Sequence, residues 1–520
     1  MTDLTSAPLA VLVGPSDMTS RSILRSSMLN LIGFGAPILV GISTIPSLIA
    51  NLGTERFALL SLAWTIVGYF GFLDLGLGRA TTRAVSSAAD GPEMETTAAL
   101  VWAGNRLLFA IGLLGALFVL GGAAWFGARF APGALKPELA GTYVAVALCV
   151  PLVTLTSGLK GILEGLHRFD LVNALRAPLG IANFAGPWLV SLVTSRLDAC
   201  LYALLAARLV GALAYWAVAR RLYPIRPHPT GARSPSIRPL LAEGGWLTLS
   251  SVIGPFMVSF DRFLVAAMLG VATVAFYSAP AEVVSRFGIL PTALATVLFP
   301  SFAHTLRRDR DSVAPLFGGS FRLLFAASFP LYVVVIGLGP EWMRWWLGGE
   351  FEIRSTSVLQ ILALGAFING LAFVPSVFLQ SAGRARLTAQ FHAIELPLYI
   401  GSVVALTTWY GLTGTAIAWT ARAALDFALL MFATGETLHP ASIGRSLPLG
   451  RYALLLLGLV TLSFVGGTST VFRVGTTGLV ILLWLLLVSR DLPLSVLRRN
   501  IRSGESSEPS WDANSARSDQ

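Results

Sequence analysis

Fourteen stretches of this chain are apolar for about the length that spans a bilayer, and no other feature constrains its fold as strongly. They run over 23–50, 57–80, 98–126, 141–163, 176–195, 198–222, 245–269, 273–300, 316–339, 356–381, 391–409, 412–434, 449–467 and 474–490. The bilayer core offers no water to the backbone, so each stretch reads as a helix that satisfies its own amides. The unit is clearest in Pro46–Arg83. One apolar segment ends at Leu52-Gly53, and Thr54-Glu55-Arg56 reverses the chain. A second closes in Asp74-Leu75-Gly76-Leu77-Gly78-Arg79, with Arg83 one turn later. That reversal is too short for a folded domain, so it joins two membrane helices at one face. Pro37, Pro46, Pro151, Pro255, Pro291 and Pro375 lie within such stretches, where neighbouring helices or water can satisfy the freed backbone.

Composition excludes most other classes. Only 12% of the 520 residues are charged and 55% are hydrophobic, whereas a soluble domain carries about 25% charge. Cys149 and Cys200 sit in apolar context, which leaves neither a disulfide framework nor a zinc site. No phosphate-binding GxxxxGK[ST] loop, HExxH or GxSxG is present, and the five histidines are scattered. No cofactor, metal site or catalytic centre is therefore expected. The net charge of +10 would suggest a nucleic-acid partner in a soluble chain. Here the positive charge lies mostly between apolar segments, where it sets topology, and no nucleic acid is expected.

With the N-terminus placed in the cytoplasm, inner loops hold Arg79, Arg83, Arg168, Arg176 and the clusters around Arg220, Arg307, Arg384 and Arg498. Outer loops hold few, Arg56, Arg129, Lys136 and Arg196 among them. The bias of about three to one predicts both termini inside, in a multi-pass inner (cell) membrane protein. The mixed, polar N-terminus predicts no cleavable signal. The longest outer loop, Gly339–Arg354, carries Glu341, Glu350 and Glu352 beside Trp342, Trp345 and Trp346, as an interfacial belt would.

A shift of 217 residues lays Leu52-Gly53 on Leu269-Gly270 and Ser61 on Ser278. A shift of 216 lays Leu163-Glu164 and Arg168 on Leu379-Gln380 and Arg384. Each repeat holds six helices, an even number, so both begin on the same side and the halves are related by an axis along the membrane normal. The predicted organisation is a disordered stretch over 1–20, a six-helix bundle over 21–222, a basic Pro-rich cytoplasmic linker over 223–240, a second six-helix bundle over 241–436, two extra helices over 437–492, and a disordered tail over 493–520. The fold class is an all-α polytopic membrane protein of about fourteen transmembrane helices.

Asn30, Pro46, Leu52-Gly53 and Phe57, the Leu73–Gly78 ending with Arg79, and Phe260-Asp261-Arg262-Phe263 with Leu269-Gly270 and Tyr277-Ser278 resemble the Wzx-type polysaccharide flippases of the MOP exporter superfamily. The helix count also resembles the related lipid-II flippases, and MATE transporters belong to the same superfamily. The resemblance implies two six-helix bundles around a central cavity. It implies movement of an undecaprenyl-diphosphate-linked oligosaccharide from the cytoplasmic to the outer leaflet by alternating access, for cell-surface polysaccharide synthesis. No ATP is used in that scheme, and an H+ or Na+ gradient is the expected drive. Membrane lipids are partners throughout, and the basic linker offers a contact for polysaccharide-assembly enzymes.

A lipid diphosphate calls for cations, preferably the planar fork of Arg, and a slot for its tail. The candidates are Arg25, Arg79, Arg83, Arg262 and Arg286. Arg79 and Arg83 share a helix face and read equally well as helix-end positive charge. Asp261 and Arg262, adjacent on a helix, point about 100° apart, so one of them needs a cavity or a partner on another helix. Asp74, Asp261 and Glu282 are the candidates for ion coupling or ion pairing. Glu282 and Arg286, Lys160 and Glu164, and Arg422 and Asp426 are each four apart and can neutralise one another. A MATE-like multidrug or cation antiporter is the competing transport reading, but it calls for more acid than Arg in the cavity. A polysaccharide polymerase or ligase would need a larger outer loop, and a scaffold subunit without transport stays open as a further alternative.

Overall fold

A helix rises about 1.5 Å per residue, so a helix of more than fifty residues is over twice as long as the bilayer core is thick. The chain has two such runs, α1 (Ser20–Phe72) and α14 (Ala385–Leu438), and each breaks at a glycine. In α14 the break is Gly411, at φ 58° and ψ −138°. The two arms then run back along each other, and Thr407 bonds Thr415 across the turn at 2.7 Å. In α1 it is Gly53, at φ 77° and ψ 166°, a conformation essentially reserved for glycine. The computed structural model describes residues 20–72, 76–88, 94–130, 133–223, 256–257, 260–309, 312–438, 449–464 and 469–488.

The remaining helices, in chain order, are α2 (Leu77–Ala88), α3 (Met94–Phe130), α4 (Lys136–Gly165), α5 (Phe169–Ser191), α6 (Leu197–Leu222), α7 (Asp261–Leu269), α8 (Thr273–Arg286), α9 (Ile289–Arg308), α10 (Val313–Gly337), α11 (Gly339–Leu347), α12 (Gly349–Leu371), α13 (Phe373–Ser381), α15 (Leu449–Phe464) and α16 (Thr470–Val488). Where they are described, the predicted apolar segments fall on one or two of these helices; most of the first half of 245–269 lies outside the described residues. Among the described residues, nine helical stretches are long and apolar enough to cross a membrane, and α14 alone supplies two crossings. The chain is thus an all-helical, multi-pass membrane protein. Its outer surface is apolar, with Leu114, Phe118, Val193 and Leu486 standing exposed as lipid-facing side chains do. The predicted linker and tail lie outside the described residues.

Three segments read as continuous are divided, the first being 57–80, shared between α1, which ends at Phe72, and α2, which begins at Leu77. The stretch 273–300 breaks at Phe287-Gly288, where α8 ends and α9 begins ahead of Pro291. The stretch 356–381 breaks at Ala372, ahead of Pro375. Proline lacks an amide to donate, which weakens the ladder where these last two breaks fall. The outer stretch read as a loop contains α11, an amphipathic helix. Trp342 and Trp346 stack there at 5.3 Å, and Trp346 Nε1 donates to the Ile42 carbonyl at 2.8 Å. Trp345 stays exposed. Burial opposes the charge on Glu341 of α11, but the Arg473 guanidinium of α16 outweighs it and holds the carboxyl below its ordinary range.

The internal repeat is physical. Gly270 adopts φ 93° and ψ 155°, nearly the conformation of Gly53, its mate at the 217-residue shift. Ser61 Oγ donates to Ser278 Oγ at 3.1 Å, so two residues related by that shift touch one another. Equivalent residues meet only on or beside the axis that relates two halves. The second marker holds as well. The amides of His167 and Arg168 close onto Glu164 and Leu163 at 3.0 and 2.9 Å, and those of Gly383 and Arg384 onto Gln380 and Leu379 at 3.1 and 2.8 Å. Both are helix ends closed by a left-handed residue, His167 at φ 57° and Gly383 at φ 78°.

Candidate functional site

The axis contact places α8 against the second arm of α1, and charge gathers around that junction. Arg262 is the second residue of α7, and Glu282 and Arg286 share a face of α8. Arg262 Nη1 donates to Glu282 Oε1 at 3.0 Å, and Arg286 Nη2 to Glu282 Oε2 at 2.8 Å. One carboxylate is thus shared by two guanidiniums. Arg262 Nη1 also reaches Thr65 Oγ1, in the other half, at 3.0 Å. The Arg286 guanidinium lies 5.2 Å from the centre of the Phe184 ring on α5, a second bridge between halves.

Asp261 points elsewhere, as its 100° offset from Arg262 requires. It accepts the Arg262 backbone amide at 2.8 Å and the Tyr277 hydroxyl. Asp261, Arg262 and Tyr277 line a cavity of about 160 Å³ with Ser285, Asn369 and Trp419. On the other side of Thr65 lies an apolar cleft of about 560 Å³ between the halves, walled by Leu62, Tyr69, Phe118, Tyr143, Phe260 and Phe263. Thr65 is the polar hinge between cleft and charge cluster.

The structure therefore brings together Asp261, Arg262, Glu282 and Arg286. Arg83 is exposed on α2, which packs on α3 and α4. Arg25 and Arg79 lie on helices, but their side chains, and Asp74 altogether, are outside the described residues. Lys160 and Glu164 pair within α4 at 3.2 Å, as their spacing predicts. Arg422 does not follow its spacing: its nearest carboxylate is Glu395, at 4.0 Å, on the other arm of α14. Sequence reasoning also missed Thr65, Tyr277 and Arg208, whose Nη2 donates to Asn183 at 2.7 Å in the first half. A Thr or Asn in an apolar run carries no signal of its own. Arg208, an isolated cation in the middle of a predicted span, did carry one.

In the first turn of α5, a hydrogen bond from Arg168 holds the Asp170 carboxyl below its ordinary range. This pair is exposed and stands apart from the cluster.

Residues 21–306 match the family described as polysaccharide biosynthesis protein. A Shigella flexneri protein named for O-antigen transport is 30% identical over 421 residues, 79% of this chain and 97% of the relative. A Klebsiella pneumoniae membrane protein from a cps region is 22% identical over 270 residues, 51% of this chain and 54% of the relative. Among solved structures, the lipid II flippase MurJ in an inward closed conformation superposes with a TM-score of 0.65 at 14% identity, over 90% of this chain and 99% of its own. An inward-facing MATE-family multidrug transporter of the MOP superfamily superposes at 0.64 and 13% identity, over 80% of this chain and 99% of its own. With the two related halves, the chain belongs to the polysaccharide biosynthesis protein family and has the fold of the MOP superfamily transporters.

Proposed function

We propose that this membrane transporter flips an undecaprenyl-diphosphate-linked oligosaccharide from the cytoplasmic to the outer leaflet of the inner membrane. The observation that carries the reading is the pair Arg262 and Arg286 sharing Glu282 at the junction of the halves. A diphosphate can take the place of that carboxylate, because its oxygens accept the same forked N–H groups and carry more charge. The neighbouring apolar cleft offers room for an isoprenoid chain to remain in the membrane while the head group crosses. Rocking of the halves that parts Ser61 from Ser278 would open the cluster to each side in turn. The S. flexneri relative's name and the family description support the class of substrate. Arg25, Arg79 and Arg83 are proposed as the cytoplasmic approach for the phosphates, and Asp74 as a further ion-coupling candidate. Both termini are assigned to the cytoplasm, and the units follow the predicted boundaries at 222 and 436. The basic linker over 223–240 is assigned to anionic lipid or assembly enzymes.

The test is leaflet distribution of lipid-linked oligosaccharide in a deletion strain complemented with wild type, Arg262→Ala or Arg286→Ala. Accumulation on the cytoplasmic leaflet, relieved by wild type but by neither variant at equal protein level, is expected. Full rescue by both variants would remove the arginines from the reading. Absence of accumulation together with altered sensitivity to cationic drugs would favour an antiporter.

A further inference from the structure

A second charged cluster lies in the membrane-spanning part of α14, behind the wall of the cavity. Glu395 is 1% exposed. Among the described residues, neither of its carboxylate oxygens has a hydrogen-bond donor. Its neighbours are Asp426 on the opposite arm, whose carboxyl faces it, and Arg422, whose Nη1 is 4.0 Å away. Asp426 Oδ1 also lacks a donor among the described residues and stands 3.8 Å from His392 Nε2. Glu395 and Asp426 are sixteen and fifteen residues from the Gly411 turn, or roughly 23 Å along each arm, which places both within the predicted spans 391–409 and 412–434 and nearer their far ends.

Other elements packed on this spot add little charge. The α13 segment carries none, α12 contributes the neutral Asn369, and α7 contributes Asp261 and Arg262. Asp261 is already held by Tyr277 and the Arg262 amide, and Arg262 by Glu282. Two carboxylates thus share one guanidinium in a low-dielectric place, with the His392 imidazole 3.8 Å from Asp426 and beyond hydrogen-bond reach, and an uncompensated charge there costs several kcal/mol. Two carboxyls that face each other without a donor satisfy one another only if one of them carries a proton.

We propose that Glu395 and Asp426 form a proton-binding site that holds one proton between them. A bound metal ion is a poorer occupant. The Arg422 guanidinium already stands where a cation would be attracted and repels a second one. Among the described residues no group of three or more His, Cys, Asp or Glu is arranged to hold a metal. Loss of the proton to water sets two negative charges against Arg422. Arg422 Nη2 is only loosely held by Asn369 Oδ1, at 3.4 Å, and Asn369 lines the cavity beside Arg262. Deprotonation therefore draws Arg422 inward and releases Asn369. On the transporter reading, on which this coupling step rests, the proton thereby controls the shape of the substrate cavity.

Infrared difference spectroscopy tests the site without any substrate. The full-length protein, labelled with ¹³C-carboxyl glutamate or aspartate in a carbonyl-free detergent, is compared at neutral and alkaline pH. A protonated-carboxyl band that disappears on alkalinisation is expected in wild type, lost in both Glu395→Gln and Asp426→Asn and kept in Glu282→Gln. Either variant alone suffices should the other not fold. Absence of the band in wild type, or its survival in both variants, overturns the site. A band whose titration shifts when sodium replaces potassium at constant ionic strength overturns the choice of proton over metal. The leaflet assay is read separately: its failure in wild type removes the transport reading and leaves the infrared result standing.

Discussion

At the residue scale, the three members of the charge cluster are unequal. Arg262 is nearly buried and bonds both Glu282 and Thr65, whereas the Arg286 side chain keeps 29% exposure and hydrogen-bonds Glu282 while lying over the Phe184 ring. Removing one partner of a buried ion pair costs about 3–5 kcal/mol because the other charge is left uncompensated, and an exposed pair costs far less. Arg262→Ala is therefore expected to lower the melting temperature in detergent clearly more than Arg286→Ala, although both are expected to abolish flipping. Equal melting losses would show that the two arginines contribute equally to neutralising Glu282. Thr65→Val keeps the shape of the side chain and removes the hydroxyl. It is expected to cost about 1.5–3 kcal/mol, the worth of a hydrogen bond to a charged group, measured by the same melting assay.

At the scale of elements, two predictions concern what closes and what pins the helices. Gly53 and Gly270 occupy the same glycine-only conformation, and no atom lies within 4 Å of a Cβ added at either. The cost of alanine there is thus backbone strain alone, about 1–3 kcal/mol each and similar at both sites. Gly475, within helical α16 and equally free of neighbours, is expected to accept alanine without loss. Thermal unfolding of the three variants checks this, and a loss at Gly475 matching the other two would refute the strain account. The second prediction concerns α16, tied to α11 by Glu341 and Arg473, the latter with only 9% of its side chain exposed. The Glu341 carboxyl is held low, so its contribution is complete above the ordinary carboxylate value of about 4.3 and disappears as pH falls through the lowered value. Proteolysis of α16 is expected to accelerate under that acidification in wild type. In Glu341→Gln it should be fast already at neutral pH and insensitive to acid.

At the scale of the whole molecule, the spans were legible because the bilayer sets a length that hydropathy reports directly, and the gap between 409 and 412 falls on the Gly411 turn. The repeat was legible at Gly53 and Gly270, where backbone geometry admits only one residue. Which face of each helix turns inward was not legible. Hydropathy carries little azimuth in a helix that is apolar all round, so the i,i+4 spacing paired Arg422 with Asp426, while the fold turns Arg422 toward Glu395 and Asn369. Thr65 became a partner of Arg262 only through docking of the halves. That docking yields the last prediction. Ser61 and Ser278 touch at 3.1 Å beside the axis, where a rocking motion must change their separation. A Ser61→Cys/Ser278→Cys double variant, with the buried Cys149 and Cys200 replaced, is expected to form an intramolecular disulfide under mild oxidant. The bond would join residues 217 apart and hold the halves in the conformation seen here. Flipping should stop on oxidation and return on reduction, and neither single variant should respond to oxidant. Full transport with the disulfide formed would mean that the halves move without parting at Ser61 and Ser278, and would make this contact a pivot instead of a place where the halves open.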